Sequence, residues 1–183
     1  DVQGSDIVQH CQSLIQKTGG MDLLIYNAGF GVPSDTLHWS IEKTTYETNV
    51  KGFIGIVHFD FHHFAQQGYG QIAATSSVAA KGGNGLAPAY SASKAFMSVY
   101  MEGLLIKARK MKVNISITDI QPGFIATKMA KSNQLFWVTP LDKAVRQMAQ
   151  GIDKKKFRVY ISRRWRIIAW IMKRIPSWLW HKL

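Results

Sequence analysis

The stretch Asp22-Leu23-Leu24-Ile25-Tyr26-Asn27-Ala28-Gly29 decides the fold of this chain. Its short apolar run, bounded by glycines on both sides, predicts a strand buried on both faces, which is typical of a parallel sheet. The small residues that follow the run let a ligand approach the backbone closely. We therefore expect a parallel sheet whose strand ends carry functional residues.

Helical and strand patterns alternate along the rest of the chain. Apolar spacing predicts helices over residues 5–18, 40–66 (interrupted by glycines) and 90–110, and strands over residues 71–76 and 113–120. Pro140 is predicted in the first turn of a helix that ends near Gly151, and residues 158–161 are predicted as a last strand. This alternation indicates βαβ units, and hence an α/β fold with a doubly wound, Rossmann-like parallel sheet.

Composition favours one domain over residues 1–160 followed by a basic, tryptophan-rich tail over residues 161–183. The chain has 183 residues and a net charge of +12, but residues 152–183 hold ten Lys and Arg against one Asp. The single cysteine, Cys11, has no partner within the chain, and the first residues resemble neither a signal nor a transit peptide. The protein is expected in a reducing, cytoplasmic compartment, which includes the inner face of a membrane as a location.

Polar and small residues follow the ends of the predicted strands. Ligands of doubly wound sheets bind beyond the carboxyl ends of the strands, so these residues are expected at one edge. They are Asn27-Ala28-Gly29, Ser76-Ser77, Tyr90 with Lys94 at the start of a helix, and Pro122-Gly123.

Tyr90 and Lys94 are four residues apart, which places both side chains on one face of a helix. A free tyrosine has a pKa near ~10, and a nearby cation is expected to lower that pKa. Tyr90 would then be a general acid or base. An isolated pair of this kind is more often a solvated surface pair, so other motifs must support the interpretation.

Five motifs in order resemble the single-domain short-chain dehydrogenase/reductase family. They are the NAG of Asn27-Ala28-Gly29, the helix asparagine Asn49, the serine Ser77 thirteen residues before the tyrosine, the YxxxK of Tyr90 and Lys94, and the PGxxxT that runs from Pro122 to Thr127. The resemblance covers residues 1–160. It implies an NAD(P)-dependent oxidoreductase that moves hydride between a nicotinamide cofactor and a carbonyl or alcohol.

The resemblance also implies residue roles. Tyr90 would exchange a proton with the substrate oxygen, Ser77 would hydrogen-bond that oxygen, Lys94 would hold the nicotinamide ribose, and Asn49 would position a relay water. Cofactor contacts are implied for Asp1, Val2, Asn27, Ala28, Gly29, Tyr90, Lys94, Pro122, Gly123, Ile125 and Thr127. No metal site is expected. A homodimer or homotetramer is implied, in which helices 40–66 and 90–110 pair about a two-fold axis.

The sequence departs from the family pattern at its start. The glycine-rich TGxxxGxG turn that binds the cofactor pyrophosphate is not found in the chain. Asp1-Val2 resembles the family pair at the end of the third strand, so the chain is expected to be truncated at the N-terminus. In the family strand order 3-2-1-4-5-6-7 this would leave an apolar strand edge unpaired. The choice between NAD and NADP stays open, because the family residues that select between them lie before the position that Asp1 matches.

The substrate side is apolar. Residues 124–139 include Met129, Leu135, Phe136, Trp137 and Val138, which favours a hydrophobic carbonyl or alcohol, although core or dimer contacts are alternatives. A non-catalytic dinucleotide sensor or membrane-associated scaffold is the alternative function.

The tail interleaves basic residues with Trp and Ile, which favours peripheral contact with an anionic membrane. Charges and Pro176 interrupt it too often for a spanning helix. Packing of the tail on the domain or on a second subunit is the alternative. Nucleic-acid binding is disfavoured, because tryptophan and isoleucine dominate between the charges.

Overall fold

A parallel sheet of four strands forms the centre of the computed structural model, which describes residues 7–127, 136–176 and 178. The strands are β1 (Leu23–Tyr26), β2 (Tyr69–Thr75), β3 (Asn114–Pro122) and β4 (Arg158–Ile161), in the spatial order β1-β2-β3-β4. Each neighbouring pair is parallel. The predicted strands are therefore confirmed, to within two residues at each end.

Helices cover both faces of this sheet. They are α1 (Ile7–Thr18), α2 (Trp39–Tyr46), α3 (Phe53–Gln67), α4 (Pro88–Met111), α5 (Leu141–Asp153) and α6 (Trp165–Met172). The larger core joins α1, α3 and α4 to one face, and a smaller core joins α5 to the other. The doubly wound α/β fold is confirmed. Pro140 is the N-cap of α5. The prediction that it lies in the first turn of the helix is wrong by one position.

The prediction that β1 is buried on both faces is wrong for the described chain. Tyr26 is 2% exposed, whereas Leu23 and Ile25 are 39% and 51% exposed. Alternate side chains of a strand point to opposite faces. Helix α3 packs on one face of β1, and the helix on the other face, α5, packs against β3 and β4.

Helix α6 lies against the domain through one side only. Trp165 and Ala169 are buried in a cluster with Val78, whereas Ile167 and Trp170 are exposed. In the described part of the chain, no helix is long and apolar enough to cross a membrane. The tail thus combines a packed face with an exposed apolar face.

Candidate active site

The ends of three strands bring the predicted site residues to one edge of the sheet. The Thr75 hydroxyl, at the end of β2, donates to the Asn27 side-chain oxygen after β1 at 2.8 Å. The Ser77 hydroxyl donates to the Pro122 carbonyl at the end of β3, at 3.4 Å. The parallel register of β1, β2 and β3 places these ends together, as the sequence predicted.

Lys94 enters this edge from the first turns of α4, and its side chain is buried. Its Nζ donates to the Thr75 carbonyl at 2.9 Å and contacts the Met97 sulfur at 3.6 Å. Burial lowers the pKa of Lys94 to about 8, and the Asp119 carboxylate opposes that shift. Lys94 is thus a desolvated cation pointing at the end of β2.

Tyr90 lies one turn before Lys94, with the Lys94 Nζ 5.8 Å from the centre of its ring. A Cβ on Gly31 would lie 2.2 Å from a ring carbon of Tyr90, so only glycine at position 31 leaves room for the phenol. Burial raises the pKa of Tyr90, and its interaction with the Ser77 hydroxyl lowers it by less. The expected lowering of the Tyr90 pKa by Lys94 together with an oxidised nicotinamide stays a prediction.

Ser77 is held by the short 3₁₀ turn Val78–Lys81 that follows it. Its hydroxyl caps this turn by accepting a hydrogen bond from the Ala79 N–H at 3.1 Å. The side chain therefore has a fixed position beside the Tyr90 phenol.

Asn49 lies in a π-helical segment, Glu47–Gly52, that joins α2 to α3. Its side chain exchanges two hydrogen bonds with the Phe30 backbone, at 2.8 and 2.7 Å, and donates to Ser93 at 2.9 Å. Ser93 in turn donates to the Tyr90 carbonyl at 2.8 Å. Asn49 thus fixes the loop after β1 against α4; its predicted role with a relay water stays a prediction. π-Helical turns are rare and are frequent at functional sites.

The residues implied for the cofactor are partly described. Gly29 has room for no side chain other than hydrogen without crowding Lys94, because a Cβ would lie 3.1 Å from its Nζ. Ile125 bridges to Thr139, and the exposed Thr127 follows it. This narrow cradle of backbone, with one buried cation, fits the ribose and nicotinamide half of a dinucleotide. Asp1, Val2, Met129 and Leu135 lie outside the described residues.

A buried polar network lies behind the site, and sequence reasoning missed it. The Asp119 carboxylate is fully buried and accepts hydrogen bonds from Ser76, Ser98 and Gln121. The Arg158 guanidinium lies 3.5 Å from it. A polar residue in the middle of an apolar strand pattern, as in Thr118-Asp119-Ile120-Gln121, was the available signal.

A family model described as short chain dehydrogenase matches residues 1–135. The chain belongs to the short-chain dehydrogenase family. The motif residues of the site, from Asn27 to Pro122, all fall inside the matched segment of this family member.

Curated relatives of this short-chain dehydrogenase include oxidoreductases from distant organisms. An uncharacterized oxidoreductase of Myxococcus xanthus is 31% identical over 159 residues, covering 83% of this chain and 61% of the relative. Human retinol dehydrogenase 8 is 30% identical over 130 residues, covering 70% of this chain and 40% of the relative. The chain thus spans about three fifths or less of the length of these relatives.

Solved structures share the fold of this short-chain dehydrogenase. A short-chain dehydrogenase from Sphingobium yanoikuyae in complex with NADPH has a TM-score of 0.75 at 16% identity, covering 97% of this chain and 74% of that one. A short chain dehydrogenase/reductase from Burkholderia phymatum in complex with NAD has a TM-score of 0.76 at 18% identity, covering 87% and 68%.

Proposed function

We propose that the protein is an NAD(P)-dependent oxidoreductase that transfers hydride between NAD or NADP and a carbonyl or alcohol. The observation that carries the proposal is the convergence of Ser77, Tyr90 and Lys94 at one strand edge, beside the Gly29 cradle. Family membership and the NADPH and NAD complexes of proteins with this fold support it.

Each of these side chains has a defined part in the proposed reaction. During reduction Tyr90 donates its phenolic proton to the substrate oxygen, and during oxidation it takes that proton back. Ser77 donates a hydrogen bond to the same oxygen. Lys94 holds the ribose hydroxyls and places positive charge beside the phenol. When bound, the nicotinamide supplies or accepts the hydride.

Burial raises the pKa of Tyr90 above its ordinary value, so the phenol carries its proton at neutral pH. Because burial keeps the phenol protonated, the proton that a reduced carbonyl needs is already in place. Oxidation requires the phenolate, so it needs a higher pH or additional positive charge near the ring. Lys94 supplies that charge only below a pH of about 8.

A hydrophobic substrate is proposed from the aromatic cluster next to the Pro122-Gly123 turn. Phe124 and Phe136 both lie 5.2 Å from Trp165, ring centre to ring centre, and Phe136 is half exposed. Apolar walls with few polar groups select apolar ligands. The name of one relative, retinol dehydrogenase 8, indicates an apolar alcohol for that protein and supports this assignment.

Peripheral membrane contact is proposed for α6 and the residues after it. The exposed Ile167, Trp170 and Ile171 are interleaved with basic side chains, and the Arg174 guanidinium stacks 4.0 Å from the Trp170 ring. Deleting residues 161–183 would also remove the buried Trp165, so Trp170→Ala with Trp178→Ala is the cleaner test. This double variant is expected to lose binding to anionic vesicles at any salt concentration; unchanged binding would refute the contact.

Tyr90→Phe tests the proposed chemistry. In the full-length protein the variant is expected to lose turnover of a small ketone by at least ~1,000-fold, because it removes the transferred proton. Binding of NADH or NADPH, followed by fluorescence titration, is expected to stay within a few-fold. Near wild-type turnover would exclude Tyr90 as the acid, and lost cofactor binding would show that the ring has another role.

A further inference from the structure

The loop on the substrate side and the tail helix form one packed unit. Trp165, the first residue of α6, lies 5.2 Å from Phe136 and 6.5 Å from Trp137, ring centre to ring centre. Gly123 lies so close to Trp165 that a Cβ there would overlap its indole. The loop over residues 136–140 therefore cannot shift far without moving the start of α6.

A small cavity of about 110 Å³ opens between this loop, the first turn of α5 and the segment that precedes α6. Among the described residues its walls carry two cations and two hydroxyls and no carboxylate; they belong to Lys143, Arg164, Thr139 and Ser162. Lys143 and Arg164 are both exposed, and their positive charges attract an anion to the cavity. At about 110 Å³ the cavity suits a compact anion such as a phosphate group.

The rim of the cavity indicates where the phosphate comes from. Trp137 and Val138 line it, and they are 46% and 40% exposed. On the other side, α6 continues from Arg164 with the exposed Ile167 and Trp170. An exposed tryptophan beside a cationic cavity is typical of the headgroup region of a bilayer, where the ring lies at the interface.

We propose that this cavity binds the phosphate of an anionic phospholipid in a membrane surface. The inference rests on the proposed membrane contact and adds a defined headgroup site to it. Lys143 and Arg164 donate to the phosphate oxygens, while Trp137 and Trp170 lie at headgroup depth. The mouth of the substrate side then faces the lipid, so an apolar carbonyl reaches Tyr90 without crossing water.

The test compares vesicle binding of two double variants of the full-length protein. Lys143→Gln with Arg164→Gln removes the cavity cations, and Arg109→Gln with Lys110→Gln removes two exposed cations at the end of α4 as the matched control. Vesicles of phosphatidylcholine with and without phosphatidylglycerol are the probes. The cavity variant is expected to weaken binding to phosphatidylglycerol vesicles by about 30-fold, since each basic residue is worth about fivefold near an anionic surface.

The control variant is expected to bind within about threefold of the wild type. Equal weakening in both variants would overturn the proposal, because it would show a diffuse charge effect. Complete competition by inorganic phosphate would show a site for free phosphate, and loss of duplex DNA binding in the cavity variant alone would show a nucleic-acid site. Either result overturns the lipid assignment.

A second readout separates this site from the proposed oxidoreductase function. The cavity variant is expected to keep wild-type turnover of a small water-soluble ketone and to lose turnover of a long-chain ketone supplied in phosphatidylglycerol vesicles. Equal turnover of both ketones in the cavity variant would refute the headgroup site while leaving the reaction intact. Absence of turnover in the wild type would refute the proposed reaction, whereas vesicle binding would still test the site.

Discussion

At the scale of single residues, Lys94 is a cation held where burial opposes its charge. Its pKa in the folded chain is about 8, against 10.5 for the free side chain. Since the unfolded chain binds the proton more tightly, this group destabilises the fold below a pH of about 8. The penalty fades between about 8 and 10.5 as the lysine loses its proton in both states.

Lys94→Met is therefore expected to stabilise the fold while abolishing activity. The pKa difference corresponds to about 3 kcal/mol, from which the lost hydrogen bond to Thr75 takes about 1 kcal/mol. Urea denaturation of the full-length protein at neutral pH should show a free energy of unfolding higher by about 1–2 kcal/mol. The gain should shrink as the pH approaches 10.5, and a less stable variant at neutral pH would contradict this account.

Gly31 leaves room for the Tyr90 ring. Because a Cβ at position 31 would overlap the Tyr90 ring, Gly31→Ala is expected to displace the phenol. A misplaced catalytic group costs about 100-fold in kcat. Gly85→Ala is the matched control, since no described atom lies within 4 Å of a Cβ built there. Steady-state kinetics that show equal kcat values for the two variants would exclude this role.

The roles of some single residues could be predicted from the sequence, and the roles of others could not. Ser77, Tyr90 and Lys94 were found because their spacing along the chain is itself the motif. Gly31 and Asp119 were missed, because their roles depend on Tyr90, Ser98 and other partners that only the fold brings near. The burial that raises the pKa of Tyr90 was missed as well, since the motif reveals the cation but not how deeply the ring is buried.

At the scale of elements, helix periodicity and strand runs predicted every β-strand of the described residues and the helices α1, α4 and α5, and they predicted α2 and α3 as one interrupted helix. The π-helical segment Glu47–Gly52 was not predicted. A single turn with more residues than an α-helical turn does not change the spacing of apolar residues enough to be recognised. The exposed face of β1 was likewise beyond prediction. A continuous apolar run indicates that both faces of a strand favour burial. It does not indicate which element, if any, covers each face.

Trp165 is the most deeply buried large side chain of helix α6, so the attachment of the helix is expected to be sensitive to its substitution. Trp165 is 4% exposed and packs on Gly123, whereas Trp170 is 56% exposed. Trp165→Ala should cost about 3–5 kcal/mol locally and free the helix. Hydrogen exchange of the α6 amides should become fast in Trp165→Ala and stay slow in Trp170→Ala. Equal protection in both variants would show that other contacts hold the helix.

At the scale of the whole molecule, one face of α4 is apolar and uncovered by the described residues. Val99 is 70% exposed and Ile106 is 48% exposed, and Gly103 lies between them on the same side of the helix. A helix buries such a face against another element. The family resemblance places the counterpart helix of a second subunit there, so we propose a homodimer or homotetramer built on this face.

Val99→Glu tests that assembly. In a two-fold interface the same residue enters from both subunits, so one substitution places two carboxylates near the axis. Each pair of like charges costs several kcal/mol in an interface, so the dimer Kd is expected to rise by at least about 30-fold.

Val145→Glu is the matched control, because Val145 is 53% exposed on α5, which packs on the other face of the sheet. Sedimentation velocity should show smaller species for Val99→Glu and the wild-type assembly for Val145→Glu. If both variants keep the wild-type assembly, the α4 face is not the interface; if the wild type itself is monomeric, the proposed assembly is wrong.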